Sequence, residues 1–122
     1  MLFSFSSYIL PDGLMVNVSI NSLSASVYEA AEAKGFWESY WDAPDSLKPQ
    51  IIAAKLMLCV TELSEACEDL RTGDKEHFKE EIADTIIRIA DICGGLGIDI
   101  DAEIKKKMEK NQKRERLHGK LF

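Results

Sequence analysis

The sequence predicts an all-α fold. Two segments, about Ser46 to Arg71 and residues 75 to 93, carry apolar residues at helical spacing on either side of the turn "RTGD". Residues that start and stop helices fall beside them, Ser46 ahead of the first and "GGLG" at Gly94 to Gly97 after the second. Each segment also holds an acidic pair with its members three residues apart, Glu62 with Glu65 and Glu81 with Asp84. On a helix that spacing puts both carboxylates on one face, and folding back across the turn would bring the four together.

The second segment is unusual on a helical wheel of roughly 100° per residue. His77, Glu81, Asp84, Arg88 and Asp91 make a narrow polar stripe, and apolar residues, five of them isoleucine, cover most of the rest. A surface helix normally shows the reverse, so burial on most sides is expected, with the acids facing a cleft or a partner. In the first segment Leu56, Cys59, Val60, Leu63, Cys67 and Leu70 form a broad apolar face, edged by Lys55, Glu62, Glu65 and Asp69. Clustered carboxylates repel and are costly to desolvate, so such a site is stable mainly with a cation in it. Oxygen-only ligands favour a hard one, Mg²⁺ or else Mn²⁺.

The remaining elements are weaker. Residues 1–20 read as a short irregular or extended N-terminal arm, in which "PDG" separates two short apolar runs that form either a small hairpin or a loose extended arm. Residues 21–122 read as one helical domain. A helix is expected over Ser22 to Lys34, capped by Asn21 or Ser22 and stopped by Gly35. In the connector "GFWESYWDAPDS", Phe36, Trp37 and Trp41 either lid the core, or Trp37 or Trp41 stacks on a nucleobase. Pro49 is tolerable in the first turn of the helix after Ser46. "GGLG" lacks the spacing and preceding strand of a phosphate-binding loop and reads as a helix terminator. A last helix, capped by Asp99 or Asp101, runs to about Glu115, and Lys107, Asn111 and Arg114 lie on one face of it.

At 122 residues and 46% apolar content, one domain with a modest core is the expectation. The net charge of -6 argues against binding a nucleic-acid polymer, although eight of the fifteen Lys and Arg residues follow position 104 and complement either the acidic centre or a phosphorylated ligand held there. No apolar run is long enough to span a membrane, and the opening "MLFSFSSYIL" lacks the basic region and cleavage pattern of a signal peptide. Cys59, Cys67 and Cys93 are odd in number and read as reduced core residues of a cytoplasmic protein. His77 and His118 read as surface residues.

"ELSE", then "EIAD", then Lys107, Asn111 and Arg114 resemble the MazG-like nucleoside triphosphate pyrophosphohydrolases of the all-α superfamily, over roughly Ala33 to Lys120. The resemblance implies a four-helix bundle core completed by oligomerisation, as a homodimer or homotetramer. It implies hydrolysis of a nucleoside triphosphate, often a deoxynucleotide, to the monophosphate and pyrophosphate. By it, Glu62, Glu65, Glu81 and Asp84 would hold Mg²⁺, and Lys107, Asn111 and Arg114 would contact the triphosphate. Elementary chemistry agrees, since a phosphoanhydride needs its oxygens neutralised and a nucleophile near neutral pH. Glu62 or Glu65 is the expected water-orienting base, and Lys55 either helps to bind phosphate or pairs with Glu62. The competing class is a non-enzymatic helical module whose apolar faces bind a partner or another copy.

Overall fold

A computed structural model of the chain describes residues 6–9, 13 and 15–114. In chain order these form β1 (Ser6–Ile9), β2 (Met15–Val18), α1 (Ile20–Ala33), α2 (Glu38–Asp42), α3 (Lys48–Thr72), α4 (Lys75–Leu96) and α5 (Ile100–Gln112). The body of the chain is helical, as expected. It divides into two compact units, one of residues up to Ser22 with those from Asp99 onward, the other Leu23–Ile98.

In the first unit β1 and β2 pair antiparallel, from Ser6 opposite Val18 to Ile9 opposite Met15. Of the two arrangements open to the arm, the described residues adopt the hairpin. The starts of α1 and α5 cap one another. Asp101 Oδ1 accepts from the Ile20 and Asn21 amides at 2.8 and 3.1 Å. Asn21 Oδ1 accepts from Ile100 and Asp101 at 3.0 and 3.3 Å, while its Nδ2 donates to Asp99 Oδ1 at 2.8 Å. Asp99 is the local cap of α5, accepting from the Ala102 amide, and these bonds hold its carboxyl below the usual range. The expected capping of α1 by Asn21 or Ser22 is therefore corrected: an acid about 80 residues away supplies it. The last helix ends at Gln112, so Arg114 lies past its end and not on a shared face with Lys107 and Asn111. The closing "RLHGKLF", with His118, lies outside the described residues.

The second unit is the helical hairpin with α1 and α2. Gly73 takes the left-handed conformation (φ +81°) that closes α3, and Asp74 caps α4 by accepting from the His77 amide at 3.1 Å. Ser46 does not cap α3; Leu47 stands at that position without a side-chain bond, and Pro49 sits in the first turn. The "GGLG" reading also changes. Only Gly97 (φ +66°) stops α4, while Gly94 and Gly95 lie inside the helix. They are needed there for close approach. A Cβ on Gly94 would meet Tyr28 Cβ at 2.5 Å and the Ser24 carbonyl at 2.8 Å, and one on Gly95 would run into the Trp37 ring. Ser24 Oγ donates to the Ala90 carbonyl at 2.6 Å beside this contact.

Trp37 is fully buried, its Nε1 donating to Asp91 Oδ1 at 2.9 Å. Tyr28 and Tyr40 meet it edge-on, each with ring centroids 5.4 Å away. One chain does not give α4 the cover its sequence calls for. Glu81, Ala90, Ile92 and Cys93 are buried, but Ile82, Ile86, Ile87 and Ile89 stay exposed, as do Leu56, Val60 and Leu63 on α3. Cys59 and Cys93 are core residues; Cys67 is exposed, against expectation. No helix among the described residues is long and apolar enough to cross a membrane.

Candidate functional site

The α3–α4 hairpin places its polar edges against each other, so residues at similar distances from Gly73 meet. Glu62, Glu81 and Asp84 each offer an oxygen to a group lying within 4.8 Å, and Asp69, His77 and Glu81 form a second such group. Glu81 belongs to both. Three of the four expected acids are thus brought together. Glu65, one turn along α3 and exposed, is outside that set and acts on Glu81 through its charge.

Glu81 is the centre of this arrangement. Its side chain is 4% exposed, and its Oε2 has no hydrogen-bond partner among the described residues. Its carboxyl is pushed up to about 7, first by a hydrogen bond shared with Glu62, then by burial and the charges of Glu65 and Glu62. Glu62 moves the other way, held below the usual carboxylate range by that bond and by Arg88, whose Nε donates to its Oε1 at 2.9 Å. One carboxyl raised and its neighbour lowered is the pattern expected of like charges in a partly dry site.

His77 lies between two acids. Its Nδ1 is 2.9 and 2.8 Å from the two Asp69 oxygens, and its Nε2 is 3.3 Å from Glu81 Oε1. The Asp69 bond is the main cause of its raised pKa. The i,i+4 spacing of His77 and Glu81 was visible in the sequence, but Asp69, across the turn, was not an obvious partner.

A pocket of about 380 Å³ opens beside the acids. Its wall includes Glu62, Asp84, Arg88 and Asp91, together with Lys34 and Phe36. Phe36 is 63% exposed. The base-stacking reading is corrected for Trp37, which is wholly enclosed and has no free face. Trp41 is 49% exposed, with its ring centroid 6.3 Å from that of Trp37, and neither tryptophan lines the pocket. Phe36 and Lys34 are the residues sequence reasoning missed. Lys55 does not pair with Glu62. Its Nζ sits 4.2 Å over the Trp37 ring and donates to the Phe36 carbonyl at 3.3 Å, lining a second pocket with Arg88 and Asp91. Lys107, Asn111 and Arg114 belong to the other unit.

The donor set could hold a metal ion. Carboxylate oxygens from Glu62, Glu81 and Asp84 are hard ligands, and a buried carboxylate oxygen lacking any donor is what a cation would satisfy. Fold and site together define an all-α chain with an Asp/Glu/His cluster able to hold a metal ion. No protein-family model, curated protein or solved structure was found to match the chain.

Proposed function

We propose that the chain is a Mg²⁺-dependent, MazG-like nucleoside triphosphate pyrophosphohydrolase that works in the cytoplasm, converting (deoxy)nucleoside triphosphates to the monophosphate and pyrophosphate. One observation carries the reading: a buried Glu81 carboxylate with an unpartnered oxygen, grouped with Glu62 and Asp84, which themselves line a pocket that includes Phe36. Glu62, Glu81 and Asp84 would hold Mg²⁺, with Mn²⁺ as an alternative. When bound, the ion would neutralise phosphoryl charge and lower the pKa of water. Glu65, near Glu81 but outside the ligand group, is the better placed of the two glutamates to orient a water and take its proton. Phe36, in place of the tryptophans, would stack on the base, and Lys34 would face the phosphates. Lys107, Asn111 and Arg114 keep the triphosphate role that the resemblance implies.

The exposed faces support an oligomer. Leu56, Val60 and Leu63 on α3, and Ile82, Ile86 and Ile89 on α4, repeat at i, i+4, i+7, so each set forms an apolar stripe that another copy would cover. A homodimer or homotetramer is accordingly part of the proposal. The same stripes favour the second reading, a helical module without catalysis, and turnover separates the two. Across a panel of ribo- and deoxynucleoside triphosphates, Mg²⁺-dependent pyrophosphate release is expected from at least one. Glu81→Gln or Asp84→Asn should abolish it with helix content unchanged. No release across the panel would leave the module.

A further inference from the structure

The hairpin turn builds something that the acid site does not need. Asp74 caps α4 and pins its first turn, so His77 faces Asp69 across the turn and Glu81 one turn along its own helix. Asp69 Oδ1 and Oδ2 lie at 2.9 and 2.8 Å from Nδ1. A carboxylate only accepts, so the ring proton resides on Nδ1. In the neutral ring Nε2 then carries a lone pair, and that lone pair faces Glu81 Oε1 at 3.3 Å. In the metal-free protein a proton on the ring bridges this contact; with the ring neutral, the two acceptors face each other and a cation can take the proton's place. The other Glu81 oxygen, Oε2, is buried and has no hydrogen-bond partner among the described residues.

We propose that His77 Nε2 and the Glu81 carboxylate form a second, nitrogen-containing metal subsite for a first-row transition ion, with Asp69 orienting the imidazole. The inference rests on the reading above only in sharing Glu81. The spacing is right for it. Two ligand atoms each about 2.1 Å from one ion are about 3.0 to 3.4 Å apart in octahedral or tetrahedral geometry, and Nε2 and Oε1 are 3.3 Å apart. An Asp accepting from Nδ1 is the usual outer partner of a ligating histidine; it fixes the tautomer and makes the free nitrogen more basic. Imidazole suits Zn²⁺ and other first-row transition ions, whereas Mg²⁺ prefers oxygen. The subsite therefore differs in metal class from the Glu62–Asp84 side of Glu81.

Mn²⁺ is the probe, bound to full-length protein carrying no affinity tag and read by pulsed electron paramagnetic resonance. The chain has two histidines. The ¹⁴N modulation of a directly bound imidazole is expected in the wild type and in His118→Gln, which keeps only His77. It should vanish in His77→Gln and survive in Asp84→Asn, and Asp69→Asn should weaken Mn²⁺ binding about 10- to 100-fold. Bound Mn²⁺ without ¹⁴N modulation would overturn the subsite and leave the oxygen-ligand site standing; so would modulation that persists in His77→Gln. No Mn²⁺ binding at millimolar concentration would overturn both. If His77→Gln fails to fold, the His118→Gln spectrum decides.

Discussion

Gly95→Ala tests the contact that ties α4 to the aromatic cluster. The added methyl would lie 2.5 Å from Trp37 Cζ3 and nearer still to Cη2 and Cζ2. Ordinary carbon contact begins near 3.5 Å, so the ring or the helix has to move by about 1 Å. Trp37 has no room to move, being wholly buried, with Nε1 held by Asp91 at 2.9 Å and Lys55 Nζ over its face at 4.2 Å. Overpacking of this kind costs up to about 3 kcal/mol. Stretching the bond to a carboxylate adds about 1.5 kcal/mol, and the gain in helix propensity returns about 1 kcal/mol. The balance is a loss of up to about 3.5 kcal/mol, or at about 4 °C per kcal/mol a drop in Tm of up to about 14 °C. Urea unfolding and thermal melts followed at 222 nm measure it. In a Trp37→Phe background the clashing ring atoms are gone, and Gly95→Ala should then be neutral or mildly stabilising. A single variant as stable as wild type, or the same loss in both backgrounds, would refute the packing argument.

Without metal, stability should fall between about pH 5 and 8. Glu81, raised from 4.5 to about 7, and His77, raised above 6.5, bind more protons folded than unfolded, so what they contribute is present at low pH and lost as pH rises. Glu62 is lowered, and its contribution is lost only in more acidic solution. Tm measured across that range in EDTA should decline, and Glu81→Gln should flatten the decline. Phe36→Ala should raise KM for the nucleotide by roughly tenfold, as for a lost stacking contact, while Trp41→Ala leaves it near wild type; steady-state kinetics separates the two. Ile86, half-exposed in one chain, should tolerate Asp in a monomer but release monomers from an oligomer, as light scattering would show.

The hairpin was legible because its signals agree. Two apolar periodicities flank a Gly-containing turn, and Asp74 with Gly73 ends one helix and begins the next as the local chemistry demands. Glu62, Glu81 and Asp84 met for the same reason, since register across a short turn fixes which residues face each other. What was hidden depends on long-range contacts. The capping of α1 by Asp101 joins residues that share no local pattern. Gly94 and Gly95 carry the same signal as a terminator, and only the positions of Tyr28 and Trp37 reveal that they serve close packing. Trp37 and Phe36 are neighbours with opposite fates. A wheel has no phase in a connector, so nothing marked Trp37 for the core and Phe36 for the pocket.

Arg88 decides how the acid cluster meets a cation. Its guanidinium occupies Glu62 Oε1 at 2.9 Å, the side a ligated ion would compete for, and Glu62 is mostly buried while Arg88 is about two-fifths exposed. A divalent ion entering among Glu62, Glu81 and Asp84 must displace the Glu81 proton and weaken this bond. Removing the competitor therefore favours the ion. A hydrogen bond to a charged group is worth about 1.5 to 3 kcal/mol, so Arg88→Met should tighten Mg²⁺ binding by about 10- to 100-fold, before any loss of order in Glu62. The metal-free variant should be less stable, because Glu62 loses the guanidinium bonded to it, and added Mg²⁺ should recover more stability than in wild type. Isothermal titration calorimetry and melts with and without Mg²⁺ measure both. Weaker binding in Arg88→Met would mean that the guanidinium supports the ion site and does not compete for it.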